Sequence, residues 1–183
     1  MAQVGLTRTR GRCENGATVV ETAIVFALIA IPMLIGILEF GLVFKDWLTV
    51  SHASREGVSV LASAADDPTA DITALRAIES AFTAADLNDV GQINIFNPAG
   101  GPVNIYTYSP ASSCTWSPCP DPDDPGYIQP PWAPVDRNVQ VGSLDRATLE
   151  IEFTHTWVTQ FFGSTIDLTG SVTNQLEPQV FGS

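Results

Sequence analysis

The feature that most constrains this chain is a long apolar segment near its N-terminus. From Ala17 to Phe44 nearly all side chains are apolar, and Glu21 and Glu39 are the exceptions that carry a charge. The interval between these glutamates, Thr22 to Leu38, would rise about 26 Å as an α-helix, close to the roughly 30 Å thickness of a bilayer's hydrocarbon core. We therefore predict a transmembrane helix over residues 17–44, with the glutamates near its two faces.

The charges outside this segment predict its orientation. Residues 1–16 form a polar leader whose basic side chains are Arg8, Arg10 and Arg12. Short basic segments beside a span remain in the cytoplasm. We therefore predict a single pass of the inner (cytoplasmic) membrane, with the N-terminus cytoplasmic and the C-terminal domain outside. The formal net charge of −12 argues against a nucleic-acid partner, because phosphates need a Lys/Arg surface.

The residues that follow the span, 45–64, predict a continuation of the same helix. They contain no proline, and Gly57 is their one helix breaker. Lys45 and Trp47 are residue types typical of the outer membrane interface. The remainder, residues 65–183, is long enough for an independently folding extracytoplasmic domain.

A second, amphipathic helix is predicted after Pro68. Either Asp71 or Thr69 can cap its N-terminus. Its apolar residues recur at helical spacing and would form one face: Ile72, Leu75, Ile78, Ala81 and Phe82.

Alternation of apolar and polar residues predicts antiparallel strands further along the chain. Ile93 and Ile95 alternate in one short run and Val103 and Ile105 in the next, with turn-forming residues between them. Two longer runs have apolar or aromatic positions in phase: Leu149, Ile151, Phe153, His155 and Trp157 in the first, and Ile166, Leu168, Val172 and Leu176 in the second. We interpret His155 as a core or rim residue and the proline-rich residues 109–136 as loop. The fold class is therefore α+β, with a long N-terminal transmembrane helix, a second amphipathic helix and a small antiparallel β-sheet of about four to five strands.

Three cysteines limit the covalent chemistry. Cys114 and Cys119 lie close together in the proline-rich loop, whereas Cys13 lies in the leader. In an oxidising compartment Cys114 and Cys119 can form a disulfide. Two free thiols or a metal site are the alternatives, although a metal needs more ligands than two thiols.

The sequence contains no recognisable catalytic motif. It lacks a nucleophile elbow, a phosphate-binding loop and a histidine pair at metal spacing. Asp121, Asp123 and Asp124 could bind calcium, but they lack the spaced ligands of a known calcium loop, and a solvated acidic turn is the simpler interpretation. We therefore predict no enzyme activity, no cofactor and no metal.

The start of the apolar segment resembles the processing site of type IV pilin-like precursors. It has a basic leader, then Gly16, then A-T-V-V-E with Glu21 as the fifth residue after the glycine. The resemblance implies that a prepilin peptidase cuts between Gly16 and Ala17. It also implies that Glu21 offsets the new N-terminal amine of a neighbouring subunit, since opposite charges enter an apolar bundle at lower cost as a pair.

Two further motifs are similar to those of the TadE-like family of tight-adherence pilus systems. Glu39-Phe40-Gly41 lies at the outer end of the span, and Arg55-Glu56-Gly57 lies in the helix beyond it. The resemblance implies a minor pseudopilin that acts in assembly or initiation of a tight-adherence (Flp-type) pilus at the inner membrane. Its implied partners are the prepilin peptidase, other pilins and pseudopilins, and the membrane platform of the secretion machine.

One alternative function remains open at this stage. Many processed family members carry an aromatic residue directly after the glutamate, whereas Thr22 follows it here. The chain could instead stay uncleaved, as a membrane-anchored extracytoplasmic binding or scaffold protein that does not enter a filament.

Overall fold

The computed structural model of the chain describes residues 14–84, 86–110 and 113–178. The chain forms two compact units, of which the first ends at Gly41 and the second begins at Leu42. Cys13 and the leader arginines lie outside the described residues.

Two α-helices and a five-stranded antiparallel sheet make up the fold of the described residues, which confirms the predicted α+β class. Helix α1 spans Glu14–Ala64 and contains Pro32, and helix α2 spans Ala70–Ala81. The strands are β1 Val90–Phe96, β2 Val103–Tyr108, β3 Trp116–Ser117, β4 Arg146–Thr156 and β5 Thr165–Gln175. Short 3₁₀ helices occur at Asp86–Asp89 and Pro134–Asp136.

The sheet has the strand order β3-β2-β1-β4-β5, so the long strand β4 lies between β1 and β5. One row across its centre pairs Tyr106 with Ile93, Ile93 with Ile151, and Ile151 with Gly170. The side chains of this row face the core, where the first three are fully buried. This is the one-sided burial that alternating sequence favours in antiparallel sheets.

Glycines allow the second unit to pack its helices tightly against this face. A Cβ added at Gly57 of α1 would lie 2.7 Å from Cγ1 of Ile78 in α2 and 3.0 Å from Cδ1 of Leu149 in β4. A Cβ at Gly170 of β5 would lie 2.6 Å from Cγ1 of Val50. The helix therefore approaches the sheet so closely that a methyl group has no room at either position.

In strand β2 the apolar alternation does not mark the buried face. Val103 and Ile105 are exposed, whereas Asn104 and Tyr106 are fully buried. The polar pair turns inward because the core contains a carboxylate that both side chains bind. Asn104 Nδ2 donates to Oδ2 of Asp71 at 2.9 Å, and the Tyr106 hydroxyl donates to the same oxygen at 2.6 Å.

Asp71 corrects the prediction of a capping role for this residue. It lies inside α2, with 1% of its surface exposed, and it forms a buried ion pair with the guanidinium of Arg137. Thr69 occupies the N-cap position, but its side chain makes no capping hydrogen bond. Ala81, which was predicted on the apolar face of this helix, is exposed.

Residues 109–136 are mostly irregular, as predicted, but they are anchored to the core and contain the short strand β3. The main-chain N–H of Trp132 donates to Oδ1 of Asn104 at 2.7 Å, and Arg137 lies over the Trp132 ring at 4.7 Å from its centroid. A disulfide joins Cys114 to Cys119, whose Cα atoms are 5.8 Å apart. Side-chain contacts thus replace the ladder hydrogen bonds that the prolines cannot make.

Candidate functional site on the N-terminal helix

The residues of the predicted processing site lie in the part of α1 nearest the beginning of the described chain. Gly16 and Ala17 are helical and exposed, and a Cβ added at Gly16 would have no neighbour within 4 Å. Both residues are therefore accessible from outside the helix, whose described part begins at Glu14.

Glu21 lies one helical turn beyond Ala17, and its side chain is exposed. Residues four apart lie on the same face of a helix. An amine created at Ala17 would therefore lie on the same face as the Glu21 carboxylate. The next residue, Thr22, uses its hydroxyl to donate to the carbonyl of Thr18 at 2.9 Å, so that this polar side chain is satisfied within the helix.

The first unit of α1 is apolar on all sides and most of its large side chains are exposed. By length and composition, α1 is a candidate membrane span from Gly16 onward. A helix that is apolar all round needs lipid or other helices around it. The described residues of this unit therefore have the surface of a membrane anchor.

The first family motif contains two different environments. Glu39 is buried, with 2% of its surface exposed, whereas Phe40 is 57% exposed. A Cβ added at Gly41 would have no neighbour within 4 Å. Within the described chain, close packing therefore gives no reason for a glycine at this position.

The second family motif shows the opposite arrangement. Gly57 is buried where α1, α2 and β4 meet, and the close approach of Ile78 and Leu149 requires a residue without a side chain. Arg55 and Glu56 point into solvent. Gly57 thus serves the fold, and the two charged residues are available to an external partner.

A contact that the sequence did not reveal joins α1 to the end of β4. Nδ1 of His155 donates to Oδ2 of Asp46 at 2.6 Å, and both side chains are largely buried. Lys45 lies 3.3 Å from the same Asp46 carboxylate. His155 is thus a rim residue at a strand end, whose partner lies 109 positions away in the sequence and could not be found from spacing.

The Asp71–Arg137 pair is the most buried charged group among the described residues, but it has no access to a substrate. Arg137 also donates to the carbonyl of Ala65 at 3.2 Å. Burial, together with the Asp71 charge, raises the pKa of Tyr106 far above its ordinary value, so this hydroxyl remains a donor. The cluster therefore stabilises the fold, and no position for a reacting atom exists within it.

The acidic turn uses its carboxylates internally. Asp121 accepts from the Arg76 guanidinium at 2.7 Å and from the N–H of Asp123 at 3.1 Å. Asp124 accepts from the N–H of Gly126 at 2.7 Å. Among residues 14–84, 86–110 and 113–178, no group of three or more His, Cys, Asp or Glu side chains is arranged to hold a metal ion.

The family model described as TadE-like protein matches residues 16–59. This match confirms the predicted resemblance over a segment that begins at Gly16 and includes Glu21 and both motifs. No curated protein and no solved structure matches the chain. The matched family indicates involvement in tight-adherence pilus assembly and is not an enzyme family.

Proposed function

We propose that this protein is a minor pseudopilin that helps to assemble or initiate a tight-adherence pilus from the inner membrane. The observation that carries the proposal is the family match over residues 16–59, a segment that lies within helix α1 and contains Gly16, Glu21 and both motifs. Its leader stays in the cytoplasm, and its α+β domain lies outside. Other pilins or pseudopilins and the membrane platform of the secretion machine are its partners.

The first step is processing by the prepilin peptidase between Gly16 and Ala17. Support comes from the exposure of both residues and from the open space around Gly16, where an added Cβ would have no neighbour within 4 Å. Cleavage removes the basic leader and creates an amine at Ala17. The chain can then leave the bilayer without moving the leader arginines through hydrocarbon, which would be costly.

The second step is incorporation, in which Glu21 pairs with the new amine of a neighbouring subunit. During incorporation, the exposed apolar side chains of residues 17–41 lose their contacts with lipid and gain contacts with neighbouring helices. In that environment an isolated carboxylate is costly, and an opposite charge reduces the cost. The same carboxylate therefore selects neighbours that have been processed.

Processing is tested by intact-mass analysis of the protein extracted from its native membrane. We expect a chain that begins at Ala17, and we expect Gly16→Val to leave the leader attached. Gly11→Val is the matched control, because it alters a leader glycine away from the proposed cut. A wild-type chain that still begins at Met1 in cells with an active prepilin peptidase would contradict processing and would favour the uncleaved anchored protein.

Incorporation is tested with Glu21→Gln, which keeps the size of the side chain and removes its charge. We expect normal cleavage with a clear loss of pili in electron micrographs. Glu21→Asp retains the carboxylate and should restore most of the piliation. Normal piliation in Glu21→Gln would show that Glu21 only marks the membrane boundary.

A further inference from the structure

The turn between β4 and β5 has an unusual composition for a chain with a net charge of −12. This segment, residues 157–164, is called the hairpin tip here and contains no charged residue. Val158 is 72% exposed, Phe161 71% and Phe162 46%. Exposed turns ordinarily carry Gly, Pro, Asn, Asp or Ser, so the apolar residues point to a function outside the fold.

The backbone presents two of these side chains at the apex of a turn. The N–H of Gly163 donates to the carbonyl of Gln160 at 3.4 Å, and both residues have positive φ, 122° and 55°. Phe161 and Phe162 lie between them. Ring contacts support the turn from below, because Trp157 packs against Phe162 with centroids 5.6 Å apart and against His155 at 5.5 Å.

The hairpin tip lies at the end of the second unit where α1 enters it. His155 precedes the tip by two residues, and its ring binds Asp46 of α1 at 2.6 Å. Asp46 follows directly after the apolar segment that ends at Phe44. The tip is therefore fastened to the part of the helix that would emerge from the bilayer.

The neighbouring helix residues have the composition of a membrane interface. Phe44 and Trp47 stack with centroids 5.8 Å apart, and both are exposed. Lys45 lies between them with its side chain 60% exposed. Aromatic rings and a basic side chain at this position are typical of the headgroup level.

We propose that the hairpin tip is a second membrane-contact site, in which Val158, Phe161 and Phe162 enter the headgroup region of the lipid leaflet that surrounds α1. The occupant is lipid, because the tip is uncharged, apolar and continuous with the membrane-interface residues of α1. A site of this type gains affinity from the apolar area that it buries. The second unit then rests on the bilayer at two points, the helix and the tip, which restricts its tilting.

The test uses the full chain in nanodiscs of phosphatidylethanolamine and phosphatidylglycerol. The photo-reactive residue 4-benzoylphenylalanine replaces Phe161, or replaces Val141 as the control. Val141 is 85% exposed and precedes the start of β4, whereas the tip follows its end. We expect about tenfold more lipid adduct from position 161 than from 141, since partial burial of one Phe side chain corresponds to roughly that ratio.

A second measurement places the photo-reactive residue at Val158 and compares Phe161→Asp with Val141→Asp. The charge of Phe161→Asp should lower the yield of lipid adduct at position 158. The charge of Val141→Asp should leave this yield unchanged. Equal adduct at 161 and 141, or cross-links at 161 only to a second copy of the chain, would overturn the proposal. The inference requires α1 to lie in a bilayer but does not depend on the pilus role, so its failure would leave the proposed function intact.

Discussion

The two units of the chain use their side chains in opposite ways. From Val19 to Phe40, most large apolar side chains are exposed, so packing within the described chain does not explain them. From Leu42 onward, buried residues meet one another in a core that includes Val50, Leu61 and Leu149. The difference shows that the described residues of the first unit have the surface of a candidate membrane span, whereas buried residues of the second unit pack in a core with its own sheet.

The largest expected effect comes from breaking the buried ion pair of the second unit. Arg137→Met leaves the Asp71 carboxylate buried without its cation, which should lower the free energy of unfolding by about 3–5 kcal/mol. Urea unfolding of the full chain in mild detergent, followed by tryptophan fluorescence, measures this change. Arg76→Met removes the solvent-exposed partner of Asp121 and should cost less than about 1 kcal/mol. Equal losses of unfolding free energy in Arg137→Met and Arg76→Met would show that the buried ion pair contributes no more than the exposed one.

The disulfide is the next largest contribution. Cys114→Ser opens a ring closed across a sequence separation of 5 residues, and the chain-entropy model gives a loss of about 2 kcal/mol for so short a loop. The same unfolding assay measures this loss. A reducing agent should lower the free energy of unfolding of the wild-type protein to that of Cys114→Ser. Cys13→Ser, in the leader, should have no effect. Two reactive thiols in the exported wild-type protein would show that the bond does not form.

The sharpest comparison of the two units uses two glycines of the same helix. Gly57→Ala should lower the free energy of unfolding by about 1 kcal/mol, because the overpacking cost exceeds the gain in helix propensity. Ile78 and Leu149 are fully buried, so a shift of either side chain would disturb the core around it. Gly41→Ala meets no atom within 4 Å and should not destabilise the chain.

The two glycine variants also separate folding from assembly. If Gly41 serves a neighbouring helix, Gly41→Ala should reduce piliation while the unfolding curve stays unchanged. Loss of stability in Gly41→Ala, or none in Gly57→Ala, would remove the distinction between the units.

The smallest effect concerns a pH-dependent turn before α2. Oδ1 of Asp67 accepts from the hydroxyl of Thr69 at 2.6 Å and from its N–H at 2.7 Å, and these bonds lower the pKa of Asp67. Because the folded pKa lies below the unfolded value, this stabilisation is present above about pH 4 and disappears as the pH falls through the folded pKa.

Asp67→Ala should therefore destabilise the protein by about 0.5 kcal/mol at pH 7, the size of a weak capping bond. The difference should vanish near pH 2, and unfolding curves at both pH values measure it. Asp66→Ala is the adjacent-carboxylate control. A difference that persists unchanged at the lower pH would mean that the charge of Asp67 has no part in the effect.

Elements with a repeating pattern of apolar residues could be predicted from the sequence. Buried contacts between residues far apart in the chain could not. The alternation in β4 is visible because Leu149, Ile151 and Phe153 all face one core. Strand β2 breaks the rule because Asn104 and Tyr106 bind Asp71, which precedes them by 33 and 35 positions. A buried polar contact has no period, so the sequence alone gave Asp71 as one of two possible helix caps, beside Thr69, and left Arg137 unassigned.

The candidate site on α1 was predicted from local spacing. Gly16, Ala17 and Glu21 were recognisable because their spacing along one helix is itself the signal. Their roles in processing and assembly remain predictions, since both involve other chains. The sequence did not reveal the hairpin tip, because Phe161 and Phe162 become informative only when the fold exposes them next to Trp157, which packs on His155, the partner of Asp46.

The pairing of β4 with β5 has a mechanical consequence. The two strands are joined by continuous antiparallel pairs from Arg146 with Gln175 to Thr156 with Thr165. Hydrogen bonds in such a ladder run perpendicular to the strands. Tension along the strand direction therefore strains all of these hydrogen bonds at once in shear. A pull perpendicular to the strands would instead break the hydrogen bonds one after another. Just past the ladder, the N–H of Glu177 donates to the carbonyl of Ala62 at 2.9 Å, so the chain directly after β5 is also hydrogen-bonded to α1.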